Sequence, residues 1–196
     1  MDEFVLKLEA ALKLEMPYSE RPSAPSGTPA AVLMLFGSDG KLELPSLLLV
    51  KRTDLVETHK GQMAFPGGVI DKEDESPVAA ALRETHEEVG LKPSDINVIG
   101  QMPGIWTVTG FWITPVVGYL TRPLQGLEII TNPVEVAETV WIPLSVLMED
   151  GIYRSENLAI RGKNYVIHSY RVKNYFIWGA TGAIIKNMLD RLHALR

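Results

Sequence analysis

The chain has 196 residues, no cysteine and a formal net charge of −5. That length suits one domain with its own core and an addition at one end. The missing thiols exclude disulfides, thiolate nucleophiles and zinc–thiolate centres, and the acidic balance offers no basic footprint for nucleic acid. Mean hydropathy is +0.06, ordinary for a soluble protein. No apolar run approaches the roughly 18 residues of a membrane span. The opening residues, MDEFVLKLEAALKLEM, lack the basic leader of a secretory signal. A cytoplasmic protein with neither membrane nor nucleic-acid partners is expected.

In chain order, Phe4, Val5, Leu8, Ala11 and Leu12 recur at helical spacing, so residues 2–15 read as an amphipathic helix. Pro17 to Pro29 holds four prolines and reads as a linker or extended arm. Together these first 29 residues form a candidate homodimer contact outside a domain expected over 30–196. Ala30–Phe36 reads as a buried strand, Gly37–Gly40 as a turn and Leu47–Lys51 as a second strand, forming a hairpin. Arg52 follows, then a polar loop with His59, Lys60, Gly61 and Gln62. Met63–Phe65 leads into Pro66-Gly67-Gly68. Ser76 reads as a helix N-cap, Pro77 as the first helical residue, and Gly90 and Pro93 as the stop.

Ile96–Met102 and Ile113–Leu120 read as strands. Between them, Trp106, Phe111 and Trp112 sit in a Thr/Gly-rich loop, either as packing residues or as a stacking surface for a ligand. Asn132–Glu138 is a polar turn before the strand Thr139–Ile142, and Pro143–Met148 reads as a short helix. A late hairpin pairs Ile152-Tyr153 with Val166–Val172. Phe176–Leu192 reads as the terminal helix, its Gly179 and Gly182 permitting close packing.

The chemistry gathers around the central helix. On a wheel of about 100° per residue, Val78, Leu82 and Val89 fall on one side. Glu84, Glu87 and Glu88 fall on the other. Like charges at these spacings cost only about 0.2–0.5 kcal/mol per pair, so a solvated acidic face is one reading. The other is a cation site. Arg83 cannot neutralise all three acids, and the preceding loop adds Asp71, Glu73, Asp74 and Glu75. Carboxylates beside a glycine turn suit a hard divalent cation that keeps waters and phosphates in its shell.

The stretch GGVIDKEDESPVAAALRETHEEVGL resembles the Nudix box, whose second half here is Arg83-Glu84-Thr85-His86-Glu87-Glu88-Val89-Gly90-Leu91. Counting back from Arg83 puts Glu75 at the loop-acid position and Val69, not Gly68, at the glycine. The loop is thus one residue longer than the pattern, and Asp74 competes with Glu75. Thr85 stands where an apolar residue is usual. Upstream, LLLVKR followed by HKGQMAFPGG resembles the coenzyme A pyrophosphatase branch of that family. Thr109-Gly110-Phe111 and FIWGATGAII fit that branch as well.

The resemblance implies an α/β (or α+β) fold, an α/β/α sandwich with a mixed β-sheet and the box helix across it. It implies Mg²⁺ or Mn²⁺ held by Glu84, Glu88, Glu87 and the Gly68 peptide. Glu87 would be a third ligand or the residue that orients a water, and Arg83 a scaffold for Glu87 or the loop acid. Glu135 is the first candidate for a further acid from a late loop and Glu138 the second. Arg52, His59, Lys60, Gln62 and Phe65 would hold the substrate. The implied reaction is hydrolysis of a small-molecule diphosphate. In the coenzyme A branch, coenzyme A or its thioesters yield 4′-phosphopantetheine and 3′,5′-ADP. ADP-ribose, a nucleotide sugar or a nucleoside triphosphate remain alternative substrates. A non-catalytic nucleotide-binding regulator would be expected to have lost box carboxylates that this chain keeps. An isoprenoid diphosphate isomerase would be expected to use a cysteine, which it lacks.

Overall fold

A computed structural model describes residues 3–15, 27–55, 61–160 and 162–195. Strand β1 (Thr28–Gly37) alternates two apolar sets, Ala31, Leu33 and Leu35 on one face and Val32, Met34 and Phe36 on the other. Both faces therefore need cover. Along one side β1 runs parallel to β7 (Phe111–Leu120), from Thr28 opposite Phe111 to Phe36 opposite Tyr119. Beyond β7 lie β5 (Ile96–Gln101) and β6 (Ile105–Trp106), both antiparallel to it.

On its other side β1 meets β2 (Ser46–Arg52) only at Phe36–Leu47 and Gly37–Ser46. The expected hairpin is closed only at that end. Past it the strands splay, and the returning chain fills the wedge. β3 (Met63–Ala64) pairs with Val50 and Lys51, while β4 (Gly67–Val69) pairs with Ala30–Val32. Gly67 is what lets β4 come so close, because a Cβ there would lie 2.4 Å from the Ala31 carbonyl oxygen. β8 (Val136–Pro143) completes the mixed sheet on the far side of β2.

Helix α2 (Pro77–Val89) covers the face of Leu33, Leu35, Leu48 and Val50 with Ala80, Ala81 and Val89. It starts as expected: the Ser76 hydroxyl accepts from the Ala79 N–H at 3.1 Å, and Gly90 ends it at φ 72°. The opposite face is covered by α1 (Glu3–Lys13) and α4 (Gly179–His193). Phe4, Leu8, Ile184, Ile185 and Met188 share one cluster there with Met34, Phe36, Leu47 and Leu49. The result is the α/β/α sandwich.

The boundary expected at residue 29 does not set α1 apart from this core. Arg191 of α4, 1% exposed, donates from Nη1 to the carbonyls of Ala11 at 3.1 Å and Leu14 at 2.7 Å. Those bonds satisfy the Leu14 carbonyl and give the Ala11 carbonyl, which also accepts the Leu14 N–H at 3.3 Å, a second donor where α1 ends. Of the proline-rich arm, only residues from Gly27 on are among those described.

A short helix, α3 (Leu144–Leu147), leads to a second, antiparallel sheet of β9 (Tyr153–Ile160), β10 (Lys163–Val172) and β11 (Tyr175–Ile177). Phe176 and Ile177, expected to open the terminal helix, belong to β11. The helix begins at Gly179, whose φ of +64° turns the chain out of the strand. Gly182 has the packing role expected, since a Cβ there would lie 2.2 Å from the His168 carbonyl oxygen.

Candidate functional site

The site lies where β2 and β1 splay, under α2. The three box acids do not share one outward face. The side chain of Glu87 is 54% exposed, that of Glu84 16% and that of Glu88 2%. Glu88 points into the wedge, where its Oε2 accepts from the Gly67 N–H at 3.1 Å and its Oε1 lies 3.7 Å from Arg52 Nη1. The wheel had placed Glu88 with Glu84 and Glu87 away from the apolar side. In the fold it lies between that acidic side and the apolar one, because α2 buries Ala81, Thr85 and Glu88 together. Thr85 fits its apolar position by donating its hydroxyl to the Ala81 carbonyl at 2.6 Å, one turn back.

Burial dominates the electrostatics of Glu88. It pushes the carboxyl up to about 8, with Gly67 N–H and Arg52 pulling the other way. Glu84 is likewise raised by burial, against the pull of Arg83. The negative charge of Glu135 raises both further. Its backbone is tied to Thr53, whose N–H donates to the Glu135 carbonyl at 2.9 Å and whose hydroxyl donates to the Val134 carbonyl at 2.6 Å. Asn132 N–H ties the same loop to the Glu88 carbonyl at 2.9 Å. Neither Thr53 nor Asn132 carried a signal in the sequence beyond lying next to a candidate. Glu138 is directed elsewhere. Glu138 stands opposite Lys51 in the pairing of β8 with β2, just before that pairing shifts register, and its carboxylate accepts from the Tyr175 hydroxyl of the second sheet.

Arg83 is bonded to acids of both the loop and the helix. Nε and Nη2 grip both oxygens of Asp74 at 3.0 and 2.9 Å, while Nη1 donates to Glu84 at 2.9 Å and Glu87 at 3.1 Å. Nη2 also reaches the Val69 carbonyl at 3.3 Å. The loop acid is therefore Asp74, and Glu75 is exposed. Asp74 is held below its ordinary range first by the hydrogen bond from Arg83.

Gly68 faces Glu84 so closely that an added Cβ would stand 2.5 Å from its Oε1. Among the described residues no three ligating side chains converge on one point. Arg83 draws Glu84 and Glu87 to itself, and Gly67 N–H and Arg52 hold Glu88. The donor set still fits a hard cation. It offers two partly or wholly desolvated carboxylates one turn apart, a side-chain-free cradle at Gly68 and oxygen atoms throughout.

Of the expected substrate contacts, Arg52 lines the wedge, and its Nε is buried with no hydrogen-bond partner among the described residues. Gln62 is half-buried, its carbonyl accepting from the Arg52 N–H at 3.0 Å. Phe65 is a correction. It is 3% exposed within the cluster beneath α1 and α4, so it packs the core behind the loop and has no surface for a ligand. His59 and Lys60 lie outside the described residues. Trp106 and Trp112 are cross-strand neighbours, the first 41% exposed.

A family model described as the NUDIX domain matches residues 27–161. A curated protein of Enterobacter sp. (strain 638), described as "Uncharacterized Nudix hydrolase NudL", is 40% identical over 146 residues, 74% of each chain. Its namesake in Photorhabdus laumondii is 34% identical over 180 residues, 92% of this chain and 93% of its own. Among solved structures, a Nudix hydrolase from M. smegmatis, RenU, gives a TM-score of 0.50 at 26% identity over 64% of this chain and 75% of its own. A MutT/nudix family protein from Enterococcus faecalis gives 0.55 at 18% identity over 93% of this chain and 66% of its own, a likeness of fold.

Proposed function

The chain belongs to the Nudix hydrolase family, and on that premise we propose that it hydrolyses the diphosphate of coenzyme A or its thioesters, releasing 4′-phosphopantetheine and 3′,5′-ADP. One observation carries the reading of the site: buried Glu88 and half-buried Glu84 meet the Gly67–Gly68 turn beside Arg52, which has an unused donor. The choice of coenzyme A rests on the upstream signature HKGQMAFPGG and on FIWGATGAII.

Nudix hydrolases as a family use divalent metals such as Mg²⁺ or Mn²⁺. Here Glu84, Glu88 and the Gly68 peptide would hold the ion, with Glu87 as a third ligand or water-orienting group. Bound there, such an ion would offset phosphate charge and make water more acidic. The protein does the rest. Arg52 donates to a phosphate oxygen from the floor of the wedge, as a guanidinium suits. Arg83 keeps Glu84 and Glu87 in place, and Glu87 or Glu135 takes the proton of the attacking water. The P–O bond to the other phosphate then breaks and that phosphate leaves, with no covalent intermediate.

The test is product analysis. Purified protein with Mg²⁺ is given coenzyme A, ADP-ribose, a UDP-sugar and dATP separately, with Glu88→Gln as control. Release of 3′,5′-ADP from coenzyme A, lost in the control, is the expected result. Turnover of another compound instead keeps the site and rejects the substrate. No turnover of any, with Mg²⁺ or Mn²⁺, rejects the hydrolase reading.

A further inference from the structure

β9 is the open edge of the second sheet: among the described residues its sole strand partner is β10. From Arg154 to Ala159 every residue is exposed, including Leu158 at 50%. Open edges of this length pair with another chain unless something blocks them. Charges are the usual block, and β9 carries Arg154 and Glu156. Their order is what matters. Ile152, Arg154, Glu156 and Leu158 lie on one face of the strand, and they read the same in reverse if Arg and Glu are treated as partners.

We propose that β9 is a dimerisation edge, pairing antiparallel with β9 of a second copy of this chain about a twofold axis at Ser155. The hydrogen-bond phase allows it. Arg171 N–H donates to the Ile152 carbonyl at 3.0 Å, so Ile152, Arg154, Glu156 and Leu158 face β10 with their backbone groups. Tyr153, Ser155 and Asn157 turn theirs to the open edge. About Ser155, Tyr153 then exchanges bonds with Asn157 of the copy. Arg154 stands beside Glu156 of the copy, and Ile152 beside Leu158, each contact occurring twice by symmetry. Directly opposed side chains of this kind sit about 4.5–5.5 Å apart at Cβ. Neighbouring registers fail. Centred on Tyr153, Asp150 would oppose Glu156, and centred on Asn157, Glu156 would oppose Leu158. The three strands of each copy become one continuous sheet.

Two measurements test this. The first is sedimentation over two decades of concentration. The parent chain should dimerise, with Arg154→Glu and Glu156→Arg each weakening the dimer roughly tenfold or more through like-charge opposition. The double reversal should restore it. Thermal melts of each variant check that the chain stays folded. The second uses the absence of cysteine. Ser155→Cys should form a covalent dimer on mild oxidation, because directly opposed Cα atoms lie about 5.5 Å apart, within disulfide reach. Asn157→Cys should not, its own copy lying two residues past the axis on each strand. A parent that stays monomeric, a dimer indifferent to both charge reversals, or no Ser155→Cys cross-link each overturns the proposal.

Discussion

Arg83 and Asp74 form a two-pronged ion pair across the loop that enters α2, Nε to Oδ1 at 3.0 Å and Nη2 to Oδ2 at 2.9 Å. This fork leaves Nη1 to hold Glu84 and Glu87, so loop and helix acids share one guanidinium. Arg83→Lys keeps the charge but not the fork. We expect kcat to fall roughly 10- to 100-fold with a smaller change in KM. Asp74→Asn should behave similarly, while Glu75→Gln stays near the parent. Equal losses for Asp74 and Glu75 would refute the assignment of the loop acid.

Burial of Glu88 sets a pH dependence of stability in the metal-free protein. Its folded carboxyl sits at about 8 against an ordinary 4.5. Between those values the unfolded chain has lost the proton that the folded chain keeps, so stability falls as pH rises through the window and levels off above it. Glu88→Gln lacks this titration. In chelator, the melting temperature of Glu88→Gln should match or slightly exceed the parent near pH 5 and exceed it by several degrees above about pH 8. A constant difference across that range would show that Glu88 is not desolvated.

Gly68→Ala places a methyl group against the Glu84 carboxylate at 2.5 Å. Glu84 has to move, while Gly68 itself has no left-handed φ to strain. The expected outcome is a folded protein with activity and Mn²⁺ affinity each reduced about 10- to 100-fold, read by kinetics and metal titration. Unchanged Mn²⁺ affinity would separate Gly68 from the ligand set.

Glu135 and Glu138 lie three residues apart on opposite duties. Glu135→Gln should lower kcat, since its charge acts on Glu84 and Glu88. Glu138→Gln should leave kcat alone and loosen β11 through Tyr175, visible as faster amide exchange there. The reverse pattern would reassign the late-loop acid.

Arg191→Ala leaves the carbonyls of Ala11 and Leu14 without their buried donor. Loss of such a donor, charged and buried, costs about 2–4 kcal/mol, measurable by denaturant unfolding. A cost under about 0.5 kcal/mol would mean that α1 docks by apolar contact alone.

Local signals read well in the sequence. Ser76 and Gly90 bounded α2 to the residue, because capping needs only neighbours a few positions away. The apolar runs Ala30–Phe36 and Leu47–Lys51 read as buried strands, the cover on both faces of their sheet came only with the family resemblance, and the box residues from Arg83 to Leu91 announced the chemistry. What needed the tertiary structure was every choice between adjacent or nearby acids. Glu87 and Glu88 differ by about 100° on the helix, and only the position of Gly67 in the wedge decides which one is buried. Asp74 prevails over Glu75 because Arg83, fixed by α2, reaches it with both prongs. Glu135 and Glu138 part because the first sits in the turn that Thr53 and Asn132 tie beside Glu88, while the second stands in β8 and bonds Tyr175. Phe65, beside the glycine turn in sequence, belongs to the core because it joins the buried cluster of Met34, Phe36, Leu49 and Ile184. The sequence by itself determined the kind of site, since that depends on which groups are present at short spacing. The tertiary structure decided which groups point inward, since contacts between distant strands set desolvation and direction together.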